Sequence, residues 1–209
     1  MTGLIAGGKS TTARRLAGWG GLHLDADAIA AEITRQPAVA SEIDRRLGGN
    51  LIGDDGQLDR PAVAAAVFGE DGASVRRLRT LESIVHPRVR QTMLNHLRES
   101  EDAFRFAVLD VPLLIQSNWH TACDDIVCVL CDRATIQRRI EQRGWTTDQY
   151  DRRTNRQTEL SIKLLAATLT IDTTDAPTAD QRLQNWFQRR IKDLPTPSPT
   201  CQIDCRGWP

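Results

Sequence analysis

A short glycine-rich pattern close to the amino terminus constrains the fold of this chain more than any other feature. Gly3, Gly8, Lys9 and Ser10 occupy the four defined positions of G-x-x-x-x-G-K-[ST]. Glycines let backbone N–H groups approach a phosphate chain, and a helix that begins near Lys9 points the positive end of its dipole at the same phosphates. We therefore expect Lys9 to reach the outer phosphates and Ser10 to coordinate Mg²⁺. A glycine-rich turn that only caps a helix is the alternative.

The strand that usually precedes such a loop has almost no sequence available to it. Only Met1 and Thr2 precede Gly3, and we expect two residues to be too few for a strand. The first strand is therefore predicted to be missing, either because the true chain begins upstream or because this is a damaged copy without activity.

The charge of the chain argues against partners that bind through strong electrostatic attraction. Lysine plus arginine total 27 and aspartate plus glutamate total 27, so the formal net charge is zero. We therefore expect neither nucleic acid nor a membrane surface as a partner. The sequence leaves the oligomeric state open.

The five cysteines do not predict a disulfide framework, because their number is odd and the chain is not small. Cys128 and Cys131 belong to an apolar run, where small buried side chains on a strand are favoured over a zinc or redox site. Cys201 and Cys205 lie in a tail without a nearby histidine, so no metal site is expected there. The sequence shows no signal peptide and no apolar stretch of about 18 residues, and the expected location is cytoplasmic.

Three aspartates follow apolar segments that are predicted to be strands. Residues 22–27 alternate apolar with polar side chains, so Asp25 and Asp27 are predicted to share one face of a short strand. Two carboxylates beside a phosphate loop suit a base and a positioning group for phosphoryl transfer, and a solvated strand end is the alternative. The run 104–110 is predicted to be a buried parallel strand that ends in Asp110, where a magnesium-positioning aspartate belongs.

Residues 31–102 form a largely helical block that is far longer than an ordinary connection between strands. We interpret the block as an inserted subdomain that is well placed to bind a substrate. His86 is interpreted either as a helix-end residue or as a donor to a phosphate or carbonyl group. The predicted features are helices at 28–35, 38–47, 75–85 and 89–98, a helix that residues 58–61 begin and 62–68 continue, with its N-cap at Asp59 and a first-turn proline at Pro61, and an interruption at His86-Pro87.

Two arginine-bearing helices, at 134–143 and 150–167, are predicted in the last third of the chain. Joined by a short turn, they are suited to form a lid that closes on phosphates and excludes water. The alternative is a pair of solvated helices whose arginines pair with glutamates. Short strands at 124–130 and 169–171 and a terminal helix at 179–193 complete the predicted elements.

Together these features predict an α/β fold in which a parallel sheet is flanked by helices. The helical block and the lid are predicted to be additions to this phosphate-loop core. The predicted parts are a nucleotide-binding core at 1–30, 103–135 and 168–190, a helical substrate domain at 31–102, a lid at 136–167 and a disordered tail, rich in proline, serine and threonine, at 195–209.

Taken in order, these residues resemble the dephospho-coenzyme A kinase family over nearly the whole chain before the tail. No single motif decides the resemblance, but the order and spacing of all of them are specific. The matching segments are the phosphate loop at 2–11, D-A-D-x-x-A at 25–30, L-D-R at 58–60, L-E-x-I-x-H-P at 81–87, D-V-P-L-L at 110–114, R-x-x-x-R at Arg139 and Arg143, and Gln157 with Lys163.

The resemblance implies ATP-dependent phosphorylation of the ribose 3′-hydroxyl of dephospho-coenzyme A, the last step of coenzyme A synthesis. It implies Asp27 as the catalytic base, with Lys9 and Arg139 also catalytic, and Mg²⁺ as the metal cofactor. The residues implied to bind ATP are Ala6, Gly7, Gly8, Lys9, Ser10, Thr11, Arg139 and Arg143. Those implied to bind dephospho-coenzyme A are Asp25, His86, Arg90 and Leu113, and those implied to hold Mg²⁺ are Ser10 and Asp110.

The sequence also departs from the family pattern at two positions besides the short amino terminus. Gly7 stands where the family usually has serine, which is tolerable because the backbone binds phosphate there. Gln116 stands where glutamate commonly follows the P-L-L segment, so a role that needs a charge at this point is in doubt. Two other functions stay open at this stage: a nucleotide or nucleoside kinase of the adenylate-kinase type, and an inactive nucleotide-binding remnant.

Overall fold

Five short parallel strands form the centre of the first of two units into which the chain divides. A computed structural model describes residues 1–69, 71–100, 103–155 and 157–193. The first unit contains Met1–Asp25 and the chain from Leu97 onward, and the second contains Ala26–His96. The strands are β1 (Thr2–Gly3), β2 (Leu22–Asp25), β3 (Ala107–Asp110), β4 (Val127–Leu130) and β5 (Leu169–Asp172).

The helices of the described chain follow the strands in the order expected of an α/β protein. They are α1 (Lys9–Ala17), α2 (Ala26–Arg35), α3 (Pro37–Leu47), α4 (Arg60–Val67), α5 (Gly72–Glu99), α6 (Arg133–Gln142), α7 (Thr147–Thr154), α8 (Leu160–Ala166) and α9 (Ala176–Arg190). Helices α2 to α4 and most of α5 belong to the second unit. Short 3₁₀ helices occupy Trp119–Ala122 and Ile191–Asp193.

The strands pair in two groups, with β4 between β1 and β5 in one sheet and β2 beside β3 in the other. All pairs are parallel, and Asp25 lies opposite Asp110 at the carboxyl ends of β2 and β3. One hydrophobic cluster covers both groups, because Val108 of β3, Val129 of β4 and Ile171 of β5 pack in it with Leu16 of α1. The expected parallel sheet flanked by helices is therefore confirmed, and its carboxyl edge carries the aspartates.

The expectation that no strand precedes the phosphate loop is wrong, although the strand that forms is only two residues long. Thr2 and Gly3 are buried and pair with Cys128 and Val129 of β4. The pairing depends on glycine, since a Cβ at Gly3 would lie 2.1 Å from the carbonyl oxygen of Val129. The amino group of Met1 donates to the carbonyl oxygen of Leu109 at 2.7 Å, which joins the start of β1 to β3.

The second unit is helical, and its bounds correct two expectations. Strand β2 ends at Asp25, so Asp27 lies in the first turn of α2 and does not share a strand face with Asp25. Helix α5 runs without interruption through His86 and Pro87. Pro87 is exposed, whereas its helix neighbours Ile84 and Val85 are buried, and this burial offsets the hydrogen bond that the proline cannot make.

The predicted helix at 150–167 is instead two helices, α7 and α8. The break lets Lys163 of α8 turn into the protein, where its side chain is 4% exposed. The predicted disorder of 195–209 concerns residues outside the described part of the chain. Among the described helices, none combines the length and apolarity needed to cross a membrane.

Replacing Pro87 with alanine is expected to raise the free energy of unfolding by about 1–3 kcal/mol. Alanine restores the backbone N–H that proline lacks in the interior of α5, and the exposed position loses no packing. Urea unfolding followed by circular dichroism measures the change.

Pro37→Ala is the matched control, because Pro37 lies in the first turn of α3, where proline is favourable. This control is expected to leave stability unchanged or to lower it by about 0.5 kcal/mol. Equal effects of the two substitutions would contradict the account of α5.

Candidate functional site

The phosphate-loop residues form a tight turn between β1 and α1. Ala6 and Gly8 have positive φ values of 57° and 97°, which place them in the left-handed region. Glycine adopts this region without strain, whereas alanine at position 6 does so at a cost of about 1 kcal/mol. The turn ends at Gly8, directly before the first residue of α1, so the amino end of the helix opens onto the loop.

Five carbonyl oxygens of this turn are directed toward donors within the protein. The bonded pairs are Lys163 Nζ to Gly3 O (3.2 Å), Lys9 Nζ to Leu4 O (2.9 Å), Arg139 Nη1 to Ala6 O (3.1 Å), Thr173 Oγ1 to Gly7 O (2.6 Å) and Thr12 N to Gly8 O (3.0 Å). Fixing the carbonyl groups also fixes the direction of the peptide dipoles. With the oxygens held by the protein, the loop is suited to present N–H groups to an anion.

Arg139 and Thr173 together hold the middle of the loop. The guanidinium group of Arg139 donates to the carbonyl oxygen of Thr173 at 3.1 Å as well as to Ala6. It also donates to the Thr173 hydroxyl at 3.2 Å, and that hydroxyl in turn donates to Gly7. Arg139 Nη1 would lie 3.4 Å from a Cβ at Gly8, which puts its positive charge beside the amino end of α1.

Lys163 is a buried cation that binds the end of β1. Besides Gly3 O, its ammonium group donates to Gln157 Oε1 at 2.5 Å. Burial lowers the pKa of Lys163 below its ordinary value of 10.5, and the nearby Cys128 acts in the opposite direction. Burial also raises the pKa of the Cys128 thiol, while Lys163 and Lys9 lower it. Lys163 therefore acts here as a structural donor to the loop.

At the carboxyl end of β2 and β3, one histidine and two aspartates come together. One ligand atom from each of His23, Asp25 and Asp110 lies within 4.8 Å of the others. Asp110 is 4% exposed, as expected for a carboxylate that ends a buried strand. Its Oδ2 atom and the Nε2 atom of His23 are buried and have no hydrogen-bond partner among the described residues. Such an arrangement can accept a cation.

The remaining predicted site residues lie at separate places in the two units. Ser10 and Thr11 are exposed in the first turn of α1, and Leu113 is half-buried in the turn after β3. Asp27 is exposed on α2, and His86 and Arg90 lie on α5.

Arg143, at the end of α6, has its guanidinium carbon 5.4 Å from the ring centre of Trp145. Arg153 lies closer to the same ring, at 4.3 Å. The indole therefore holds two arginines of the predicted lid near each other through cation–π contacts.

Comparison with known proteins identifies the family. A family model described as dephospho-CoA kinase matches residues 1–178. The chain belongs to the dephospho-CoA kinase family. Members of this family are kinases that use ATP, and they catalyse the final step of coenzyme A synthesis.

Individual members of the family are similar over most of their length. A dephospho-CoA kinase of Leifsonia xyli subsp. xyli is 42% identical over 185 residues, which cover 83% of this chain and 87% of that protein. A dephospho-CoA kinase of Rhodopirellula baltica is 38% identical over 165 residues, covering 78% and 76%.

Solved structures show the same fold. The Thermus thermophilus protein TT1252 has a TM-score of 0.77 at 30% identity and covers 91% of this chain, with 95% of its own length matched. The dephospho-CoA kinase of Campylobacter jejuni has a TM-score of 0.57 at 21% identity, with 90% and 94% covered, and supports the fold alone.

Two residues of the site, Thr173 and His23, were not predicted from the sequence. Thr173 follows β5 in a stretch of polar residues, and nothing in that stretch distinguishes it from Thr174. A usable signal existed for His23, because it lies two residues before Asp25 on a predicted strand and therefore shares its face. The two cysteines predicted to be buried small side chains, Cys128 and Cys131, are buried thiols as expected.

The contribution of Lys163 to stability is expected to depend on pH. Its folded-state pKa is lowered, so between that value and 10.5 the unfolded chain binds more protons at this residue than the folded chain does. In this range the titration of Lys163 makes the free energy of unfolding of the wild type rise with pH. Lys163→Met lacks this contribution. We expect the free energy of unfolding of the wild type, minus that of the variant, to increase between about pH 7.5 and about pH 10.

Urea unfolding of both proteins at the two pH values measures this difference, in which groups common to both cancel. Lys192→Met, which removes an exposed lysine, controls for the loss of a positive charge elsewhere. A difference between wild type and Lys163→Met that stays constant with pH would show that burial does not disfavour the ammonium form.

Proposed function

We propose that this chain transfers the γ-phosphoryl group of ATP to the ribose 3′-hydroxyl of dephospho-coenzyme A. The observation that carries the proposal is the turn at residues 3–10, whose carbonyl oxygens accept hydrogen bonds from Lys163, Arg139 and Thr173. The match of residues 1–178 to the family model supports the same function. Phosphoryl transfer depends mainly on positioning and on charge stabilisation, and a loop of fixed peptide dipoles before a helix supplies both.

The ATP phosphates are proposed to bind at this loop. Backbone N–H groups of Ala6 and of residues 8–11 are proposed to surround the phosphate chain, while the Gly7 N–H donates to Leu4 O at 3.1 Å. Lys9 supplies positive charge to the outer end of the phosphate chain. In the proposed complex Lys9 exchanges its contact with Leu4 O, at 2.9 Å, for a phosphate oxygen. Arg139 holds the loop in shape and adds positive charge beside Gly8, while Arg143 contacts the phosphates from the lid.

The chemistry of the donor set fits the divalent cation that such kinases use. Asp110 offers a buried carboxylate oxygen without a hydrogen-bond partner in the described residues, and the Ser10 hydroxyl is exposed in the first turn of α1. Both are oxygen ligands, which Mg²⁺ prefers. Bound there, Mg²⁺ would neutralise charge on the phosphates during transfer. Ser10 and Asp110 are therefore proposed to hold it.

Asp27 is proposed to be the general base that takes the proton from the acceptor hydroxyl. Asp27 is exposed in the first turn of α2, where its carboxylate is accessible to an acceptor hydroxyl. The helical unit is proposed to bind dephospho-coenzyme A through His86 and Arg90 on α5. In the first unit, Asp25 and Leu113 are also proposed to bind this substrate. Arginine suits the substrate's phosphates because its planar fork pairs with two oxygens at once. A cytoplasmic location remains a prediction.

A coupled assay of ATP consumption with dephospho-coenzyme A tests the proposal, with Asp27→Asn as the informative variant. Removing the base is expected to lower kcat at least about 100-fold, the usual contribution of a positioned base. ATP affinity, measured by calorimetry, is expected to change less than about threefold, because the loop binds ATP without Asp27.

Asp54→Asn is the matched control, since it removes an exposed carboxylate elsewhere in the helical unit and should leave kcat unchanged. Unchanged turnover in Asp27→Asn would refute the role of the base. Phosphorylation of a nucleoside monophosphate but not of dephospho-coenzyme A would overturn the proposed substrate. Absence of ATP turnover with either acceptor would indicate the inactive remnant.

A further inference from the structure

His23, Asp25 and Asp110 form a cluster whose composition goes beyond a magnesium site. His23 and Asp25 lie two residues apart on β2 and share a face, and Asp110 lies opposite Asp25 on β3. The parallel pairing therefore fixes the backbone positions of all three residues. The cluster belongs entirely to the first unit, so its geometry does not depend on the helical unit.

Two atoms of this cluster have no hydrogen-bond partner among the described residues. His23 Nε2 and Asp110 Oδ2 are 3.9 Å apart, which is too far for a hydrogen bond. Both atoms are buried, and within the described chain neither has a hydrogen-bond partner. The Asp110 side chain is only 5% exposed, so water reaches it poorly. A buried carboxylate oxygen and an imidazole nitrogen left in this way are the pair that a shared cation would satisfy.

The spacing is close to that of a shared ion but requires the side chains to close on it. Adjacent ligand atoms of a first-row divalent cation lie about 2.1 Å from it and about 3 Å from each other. The 3.9 Å between His23 Nε2 and Asp110 Oδ2 is therefore about 1 Å too long, and the outer limit of 4.8 Å for the whole cluster is longer still. Side-chain rotations bring the ligand atoms together, while the pairing of β2 with β3 holds their backbones in place.

We propose that His23, Asp25 and Asp110 bind one divalent cation and that the imidazole makes the site prefer Mn²⁺ or Co²⁺ to Mg²⁺. Mg²⁺ favours oxygen ligands, whereas nitrogen ligands raise the affinity for transition metals, with Co²⁺ above Mn²⁺. The catalytic meaning of the site rests on the proposed kinase function, because Asp110 is also proposed to hold the cation that accompanies ATP. Binding of the metal itself requires neither nucleotide nor turnover.

A nearby positive charge is the competing way to neutralise Asp110. The amino group of Met1 interacts electrostatically with this carboxylate, but its hydrogen bond goes to the carbonyl oxygen of Leu109. If this amino group neutralised the carboxylate fully, the cluster would bind no metal.

Metal titration of the full chain, stripped by a chelator and without nucleotide, tests the proposal. Calorimetry with MnCl₂, CoCl₂ and MgCl₂ is expected to show Mn²⁺ or Co²⁺ binding at least about tenfold tighter than Mg²⁺. His23→Gln should weaken Mn²⁺ and Co²⁺ binding about tenfold or more while changing Mg²⁺ binding less than about threefold. Asp110→Asn should weaken binding of all three ions.

His96→Gln is the matched control, because His96 is exposed on α5 and should not affect binding. A spectroscopic readout tests coordination of the imidazole in the wild type directly. The electron spin-echo spectrum of Mn²⁺ bound to the wild type should contain the modulation of a coordinated imidazole nitrogen, and His23→Gln should remove it. Equal affinities for Mn²⁺ and Mg²⁺ in the wild type, or a nitrogen signal that survives in His23→Gln, would overturn the proposal.

Assaying the same wild-type preparation with ATP and dephospho-coenzyme A separates the two conclusions. Mn²⁺ bound through nitrogen without any kinase activity would refute the proposed function and leave the metal site standing. Kinase activity with Mg²⁺, together with no metal binding in the absence of nucleotide, would support the proposed function and refute the metal site.

Discussion

The hydrogen bonds that hold the loop carbonyl groups are the interactions on which the rest of the site depends. A peptide group cannot turn its oxygen toward one side without turning its N–H toward the other. Lys163, Arg139 and Thr173 come from three separate segments after β4, yet each donates to a carbonyl oxygen between Gly3 and Gly7. The orientation of the peptide groups of the loop therefore depends on residues that lie more than a hundred positions away in the sequence. The glycine pattern allows the turn, and these distant donors determine its orientation.

Much of the fold and part of the site could be predicted from the sequence because the signals are local. The glycine and lysine pattern predicted the loop, an apolar run predicted the buried strand that carries Asp110, and Asp59 was correctly expected to cap α4. The helical character of the block before β3 was also visible in its periodicity. Each of these features is decided by residues within about one helical turn or one strand of each other.

The errors arose where distant packing overrides a local signal. Pro87 ordinarily ends a helix, but the buried neighbours of α5 keep the helix continuous. Alternation continued to Asp27, yet β2 ends where β3 ends, because strand length is set by the partner strand. The two-residue β1 was missed since its stability comes from contact with Val129 and not from its own length. The proximity of His23 to Asp110 could not be predicted, because it depends on the register between β2 and β3, and neither segment alone determines that register.

The anchoring of Arg139 and Lys163 has a mechanical consequence for the predicted lid. Both residues belong to that segment, and both are attached to the phosphate loop, one at Ala6 and the other at Gly3. A motion of the whole segment as one rigid body would have to break these bonds together. The stretch between Arg139 and Lys163, which includes α7 and Trp145 with its two arginines, is therefore held to the phosphate loop at both of its ends. A displacement of the loop at Ala6 would act on one end of this stretch, and a displacement at Gly3 would act on the other.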